Sequence, residues 1–284
     1  MFPGCNDANP PRRLIVNADD FGLSQAVNVG IVRAHREGIL TAASLLANAP
    51  AFDEAVRMAE DAPFLGVGVH LNIVRGKPLS APRDVPAMLD GDGTFKPLRL
   101  WRQRRDFLRQ TEREYRSQIE RVLRAGIAPT HVDFEKHHAW RRPLYEIAAR
   151  LSAEYAIPRI RNLSEPVWWS LCAIGWPGTG RLCMAALLRA GTVRLREPEG
   201  VGRADRLLGQ LHIGLLDEAR WLALLARLPA GTSEVMTHPG LGGSNAAMGA
   251  SWIDAAREAE LRALVSPRVR EAVAKGGIRL IPGL

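Results

Sequence analysis

The sequence predicts one α/β domain folded as a (β/α) barrel of the TIM-barrel type. Short apolar runs rich in β-branched residues alternate with segments of helical periodicity, which is typical of a parallel sheet covered by helices. Polar residues follow the ends of several of these runs, where such barrels place their functional groups. A length of 284 residues suits one barrel. A doubly wound sheet is the alternative.

The first half of the chain contains three predicted strands. Its predicted elements are strands over 13–22, 41–47 and 66–71, helices over 24–37, 52–60 and 100–125, and a loop over 72–96. The first strand ends in Asp19 and Asp20, Ser24 is placed to cap the helix that follows, and Gly38 stops that helix. Loops as long as 72–96 are usually functional or mobile.

The second half continues the alternation. Its predicted elements are a strand end within 129–138, strands over 159–162, 233–240 and 278–281, and helices over 143–155, 217–228, 251–264 and 267–275. Residues 1–12 are expected to form a disordered tail, and 13–284 one domain with an irregular insertion around 164–206. The tryptophans of that insertion suit stacking on sugar rings, but they suit packing in the core or a lid equally well.

Charge and cysteine content exclude several classes of protein. The net charge of +8 comes almost entirely from arginines spread along the chain, without a basic stripe, so no nucleic-acid partner is predicted. Three cysteines without metal-ligand or redox spacing indicate a reducing compartment. The N-terminus lacks the features of a signal peptide, and no apolar run reaches the roughly 20 residues that span a bilayer. A cytoplasmic protein is expected, with contact to the inner face of the membrane and a homodimer left open.

Four predicted strand ends carry acidic and imidazole side chains. These residues are Asp19, Asp20, His70, His131, Asp133, Glu135, His137 and His238. Because the carboxyl ends of barrel strands share one face, the groups are expected to meet there. Carboxylates and neutral imidazoles can hold a divalent cation for hydrolysis, while a free carboxylate takes a proton from water and a histidine protonates the leaving amine.

Each of these residues also has a structural interpretation. A single histidine at a strand end, such as His70 or His238, is more often a hydrogen-bonded structural residue than a ligand, and an isolated pair of aspartates suits a polar turn. Their joint occurrence at successive strand ends favours the metal site.

Four motifs resemble those of the YdjC-like carbohydrate deacetylases, the family of chitooligosaccharide deacetylase. They are Asn17-Ala-Asp-Asp-Phe-Gly22, Gly68-Val-His-Leu-Asn72 followed by Gly76-Lys-Pro-Leu79, Pro129-Thr-His-Val-Asp133, and Glu234-Val-Met-Thr-His-Pro239. The resemblance covers nearly the whole chain. It implies a distorted barrel, an acetylated amino-sugar substrate and one divalent metal ion, Mg²⁺ or Zn²⁺.

The resemblance also implies roles for individual residues. Asp19 is expected to be the general base and His238 the general acid, with Asp20 and His70 as metal ligands. The family usually has a histidine ligand at the position of Glu135, and we expect Glu135 to bind the metal in its place, favouring oxygen-preferring ions. The residues expected to bind substrate or to act as alternative ligands are His131, Asp133, His137, Asn72 and Lys136. A site that has lost its metal is the remaining possibility.

The segment 207–239 looks most like the hopanoid-biosynthesis-associated branch of the family. That likeness implies a lipid-linked substrate, N-acetylglucosaminyl bacteriohopanepolyol. The alternatives are a chitooligosaccharide deacetylase and a non-catalytic homologue that binds a glycan or glycolipid. A glycosidase needs two carboxylates across the glycosidic bond, which the adjacent Asp19 and Asp20 suit less well than a metal site.

Overall fold

The computed structural model describes residues 10–97, 105–183, 197–242, 253 and 255–283. Within these ranges seven parallel strands form one sheet. The strands are β1 (Arg12–Phe21), β2 (Ala42–Leu45), β3 (Gly66–Leu71), β4 (Val132–Phe134), β5 (Arg206–Leu208), β6 (Gly231–Thr237) and β7 (Arg279–Leu280). The helices are α1 (Gln25–Glu37), α2 (Phe52–Glu60), α3 (Arg105–Arg124), α4 (Arg142–Glu154), α5 (Val167–Ile174), α6 (Glu218–Ala226), α7 (Arg257–Leu264) and α8 (Pro267–Lys275).

The sheet curls into an irregular barrel. Its order is β4-β3-β2-β1-β6-β5, and β7 pairs with the start of β1. Beyond β4, Val132 forms a parallel bridge with Ile160, and Arg159 forms another with Gly202, just before β5. The parallel pairing therefore runs around a circuit in chain order, and the predicted distorted barrel is confirmed. The predicted strand 159–162 pairs only through these single bridges, which makes this side the least regular.

The strand β1 is the centre of the fold. Its apolar run Leu14, Ile15 and Val16 is fully buried, as expected for a parallel strand covered on both faces. The helix α1 begins as predicted, because the Ser24 side chain accepts a hydrogen bond from the backbone N–H of Val27.

The helix α1 also packs directly on the loop after β6. A Cβ atom on Gly30 would lie 2.4 Å from the Cα atom of Gly240, so only glycine permits this approach. The contact fixes the loop that contains His238.

Several predicted boundaries change in the structure. The predicted strand end 129–138 divides into the short β4 and a helical segment, Glu135–Trp140, and the loop 72–96 contains two short 3₁₀ helices. Arg12, the last residue of the predicted tail, is the first residue of β1 and pairs with Gly231 of β6. Residues 1–9 of that tail lie outside the described residues.

The predicted insertion 164–206 contains α5 and remains a prediction, because residues 184–196 lie outside the described ranges. The side chains of Trp168 and Trp176 are 81% and 65% exposed, so neither packs in the core. The predicted start of the helix 251–264 also lies outside the described residues. None of the described helices combines the length and apolarity that crossing a bilayer requires.

Candidate active site

A β-bulge directs Asp19 and Asp20 into one cleft. The pairing between β1 and β2 shifts at this point, so that both aspartates stand opposite the single residue Ser44. Adjacent side chains of a regular strand point to opposite faces. The bulge and the left-handed backbone of Asp20, with φ of 72°, instead bring both carboxylates to the same cleft.

His70, near the end of β3, lies between two carboxylates. Its Nδ1 is 2.7 Å from Oδ1 of Asp133, and its Nε2 is 3.1 Å from Oε2 of Glu135. With Asp133 accepting the Nδ1 proton, the contact between Nε2 and Glu135 is favourable either when Nε2 carries a second proton or when both atoms bind one cation. Burial lowers the pKa of His70, but the charge and hydrogen bond of Asp133 outweigh burial and raise this pKa well above its ordinary value.

Among the residues that the structure describes, two groups of three place ligand atoms within 4.8 Å of one another: Asp19, His70 and Asp133, and Asp20, His70 and Glu135. The first group is already occupied by Arg161, whose Nη2 lies 2.6 Å from both Asp19 Oδ1 and Asp133 Oδ2. The second group offers an imidazole nitrogen and two carboxylate oxygens at the cleft, a donor set that fits a divalent ion.

Arg161 forms a bidentate ion pair with Asp19. Its guanidinium donates to both oxygens of Asp19, at 2.7 and 2.6 Å, and to Oε1 of Glu234 at 2.7 Å. Asn17 donates to Oδ1 of Asp19 at 2.9 Å. A carboxylate has about four acceptor positions. Among the described residues, these contacts leave Oδ2 of Asp19 able to accept one further hydrogen bond.

Two other arginines flank the candidate ligands. Arg257 donates to Oδ2 of Asp20, and Nη1 of Arg75 lies 3.2 Å from Oε1 of Glu135 and 3.9 Å from Oδ1 of Asp20. Burial raises the pKa of Asp20, but Arg257 and the neighbouring cationic groups outweigh burial and hold this pKa well below its ordinary range. Asp20 is therefore ionised, as a metal ligand must be.

The turn after β4 has a strained backbone. Lys136 and His137 are left-handed, with φ of 50° and 48°, a conformation that costs roughly 1–3 kcal/mol per residue. His138 holds this turn, because its Nδ1 lies 2.8 Å from the carbonyl oxygen of Glu135 and its Nε2 contacts the hydroxyl of Tyr115. Lys136 and His137 line the cleft as a result. Burial lowers the pKa of His137 to about 4, so its imidazole is neutral near neutral pH.

His238 directly follows β6 and lines the same cleft. Its backbone N–H donates to Oε2 of Glu260 at 2.6 Å, and Oε1 of Glu260 accepts the N–H of Gly214 at 2.7 Å. Within the described ranges, Nδ1 of His238 is buried and has no hydrogen-bond partner.

The cleft gathers most of the residues that the sequence predicted for the site. Its lining includes Asp19, Asp20, His70, Glu135, Lys136, His137 and His238, together with apolar Phe134, Ile213, Met236 and Ile253. Asp133 and His131 do not line the cleft. Asp133 orients His70, and His131 contacts Ser44 at 3.1 Å.

Asn72 does not line the cleft either. Its side-chain oxygen accepts the N–H groups of Val74 and Arg75, and its amide donates to Asn48. Asn72 therefore organises the loop after β3.

Four charged residues of the site were not predicted from the sequence: Arg75, Arg161, Arg257 and Glu260. Arg159 and Arg161 alternate on a segment predicted to be a strand, so they share one of its faces. Two arginines on one face of a strand in the sheet indicate acidic partners inside the barrel. The sequence therefore contained a signal for the role of Arg161. Glu260 lies on a helix with many charges, where nothing in the sequence distinguishes it.

The sequence matches a family model described as YdjC-like protein over residues 13–275. It is 34% identical over 276 residues to a carbohydrate deacetylase of Geobacillus stearothermophilus, covering 95% of this chain and 96% of that protein. It is 44% identical over 152 residues to a carbohydrate deacetylase of Brevibacillus brevis, a match that spans 51% of this chain and only 58% of that relative's length. The crystal structure of a candidate cellobiose-phosphate cleavage protein from Enterococcus faecalis V583 superposes with a TM-score of 0.75 at 26% identity, covering 95% and 97% of the two chains.

Proposed function

This chain belongs to the YdjC-like family, and we propose that it is a metal-dependent carbohydrate deacetylase that hydrolyses the amide of an N-acetylated amino sugar. The arrangement at the bulge of β1 carries the proposal. Asp20 joins His70 and Glu135 in a group of potential ligands, while its neighbour Asp19 is a braced carboxylate outside that group. A cation site beside a separate base is an arrangement that can activate water for attack on an amide.

The residues that would hold the ion are Asp20, His70 and Glu135. One oxygen of Glu135 lies against Arg75, so the other oxygen is the one available to a cation. Asp133 orients His70 through Nδ1, the usual support of a ligating histidine. One imidazole and two carboxylates suit Zn²⁺, and the oxygen-rich set also admits Mg²⁺. When bound, the ion would polarise the acetyl carbonyl and lower the pKa of a water molecule.

The proton transfers are assigned to Asp19 and His238. Asp19 accepts a proton from the attacking water through Oδ2, while Arg161 holds the carboxylate in place. The water oxygen bonds to the acetyl carbon, and the bond between that carbon and the amide nitrogen breaks. His238 protonates the departing nitrogen, so that acetate and a free amine are the products.

The finer proposal is that the acceptor is N-acetylglucosaminyl bacteriohopanepolyol. It is supported by the resemblance of the segment 207–239 to the hopanoid-associated branch, and by the exposed Trp168 and Trp176, which suit contact with a lipid-linked substrate at the inner face of a membrane. A chitooligosaccharide is the competing acceptor, and the apolar side chains of the cleft offer a surface to the sugar ring of either.

The test is acetate release from a short chitooligosaccharide and from the glycosylated hopanoid. We expect release from at least one substrate, its loss after treatment with a chelator, and its recovery when Zn²⁺ or Mg²⁺ is added back. Faster release from the hopanoid would support the finer proposal, and faster release from the chitooligosaccharide would reject it. Failure to release acetate from either substrate with any metal would contradict the proposed function.

A further inference from the structure

We propose that Glu260 is a positioning residue that sets both the place and the proton affinity of the His238 imidazole. This inference rests on the proposed function, in which His238 supplies the proton. Both oxygens of Glu260 accept backbone N–H groups, from His238 at 2.6 Å and from Gly214 at 2.7 Å. Glu260 is fully buried, so these bonds do not compete with water.

The contacts join two loops at the carboxyl ends of neighbouring strands. Gly214 belongs to the loop after β5, whose Ile213 lines the cleft, and His238 begins the loop after β6. One carboxylate therefore fixes the spacing between the candidate acid and an apolar part of the cleft wall.

The same helix also reaches the candidate metal ligands. Arg257, three residues before Glu260 on α7, donates to Asp20 and accepts the N–H of Gly240 on its carbonyl oxygen at 3.3 Å. The first turn of α7 thus carries the cationic side chain of Arg257, which contacts the candidate ligand Asp20. It also carries the anionic side chain of Glu260, which contacts the candidate acid His238. A shift of this helix would move both partners together, which couples the acid to the ligand group.

Charge gives Glu260 a second effect. A carboxylate near an imidazole favours the protonated ring, the form that can donate a proton. Burial raises the pKa of Glu260, while His238, the two backbone N–H donors and Arg257 favour its carboxylate form. Asp20 also interacts electrostatically with His238, and Arg181 with Glu260. The other titratable and charged groups that line the cleft are Asp19, His70, Arg75, Glu135, Lys136 and His137.

The experiment compares Glu260→Gln with the wild type, both loaded with Zn²⁺. We expect kcat to fall roughly 10- to 100-fold, with little change in KM. A loss of this size is part of the rate enhancement that a general acid contributes. The alkaline limb of the kcat profile should move to lower pH, because neutralising the carboxylate disfavours the imidazolium. Glu258→Gln is the matched control, since Glu258 lies on the same helix, is exposed and pairs with Arg262 at 3.6 Å.

A second readout does not depend on activity. The NMR titration midpoint of the His238 ring should move to lower pH in Glu260→Gln and stay close to the wild-type value in Glu260→Asp, which retains the charge. If Glu260→Gln does not fold, as judged by circular dichroism, Glu260→Asp still tests positioning through a lower kcat.

An unchanged kcat in a folded variant, or a lower kcat with unmoved midpoint and pH profile, would overturn the proposal. Absence of acetate release by the wild type would instead reject the proposed function and leave the NMR comparison valid.

Discussion

Asp19→Asn should lower kcat for acetate release roughly 10³-fold, the scale expected when a general base is removed. Asparagine has nearly the same shape and keeps one acceptor oxygen, but it cannot take a proton from water. Arg161 retains its contacts with Asp133 and Glu234, so the change leaves no unpaired buried cation. Binding of the metal and of a sugar product should therefore change little, and calorimetry would measure both.

The matched control is Asp106→Asn, which makes the same chemical change at an exposed residue paired with Arg109. It should have wild-type kcat. A rate for Asp19→Asn close to that of this control would show that another group takes the proton.

Arg161→Met should produce the largest loss of stability, about 3–5 kcal/mol, the usual consequence of removing one partner from a buried ion pair. The substitution leaves Asp19, Asp133 and Glu234 buried with Arg159 as the remaining arginine of the network. Acetate release should also be lost, because the carboxylate of Asp19 would lose both hydrogen bonds from Arg161 and keep the one from Asn17. Urea unfolding of the metal-free protein measures the change in free energy.

Arg33→Met is the comparison for this measurement, since the exposed pair of Arg33 with Glu37 is worth less than about 1 kcal/mol. An unfolding free energy for Arg161→Met within the range of this surface variant would mean that Arg161 is not essential to the network.

The fold could be predicted because its signals are local. An apolar run such as 14–16 and a cap such as Ser24 specify strand and helix without knowledge of the rest of the chain. The closure of the barrel could not be located in this way. It depends on single bridges at Arg159 and Ile160, in a segment that the sequence predicts to be a strand without specifying its neighbours.

The site could be predicted only in part, for a physical reason. The acids and histidines at strand ends were identifiable because chain order and barrel topology bring them together. That Asp19 and Asp20 both face the cleft depends on a bulge and a left-handed residue, which adjacent aspartates alone do not specify. The charges that brace them come from elements distant in sequence, such as Arg161 and Arg257, and only the folded chain pairs them.

Glu135 occupies a position for which the resemblance to the family implies a histidine ligand, and we propose that the glutamate binds the metal in its place. It lies beside Nε2 of His70, with Arg75 on its other oxygen. Arg75 thus supplies a positive charge close to the carboxylate of Glu135, which a neutral histidine at this position would not need.

The most direct test is a calorimetric titration of Zn²⁺ and Mg²⁺ into metal-free wild type, Glu135→Ala and the surface control Glu146→Ala, which alters an exposed pair with Arg142. One ion per chain should bind to the wild type and to the control, and affinity should fall at least roughly 100-fold in Glu135→Ala, since a direct ligand matters at least as much as its supporting residues. Equal affinity in Glu135→Ala and the wild type, or no binding to the wild type, would contradict a metal site formed by Asp20, His70 and Glu135.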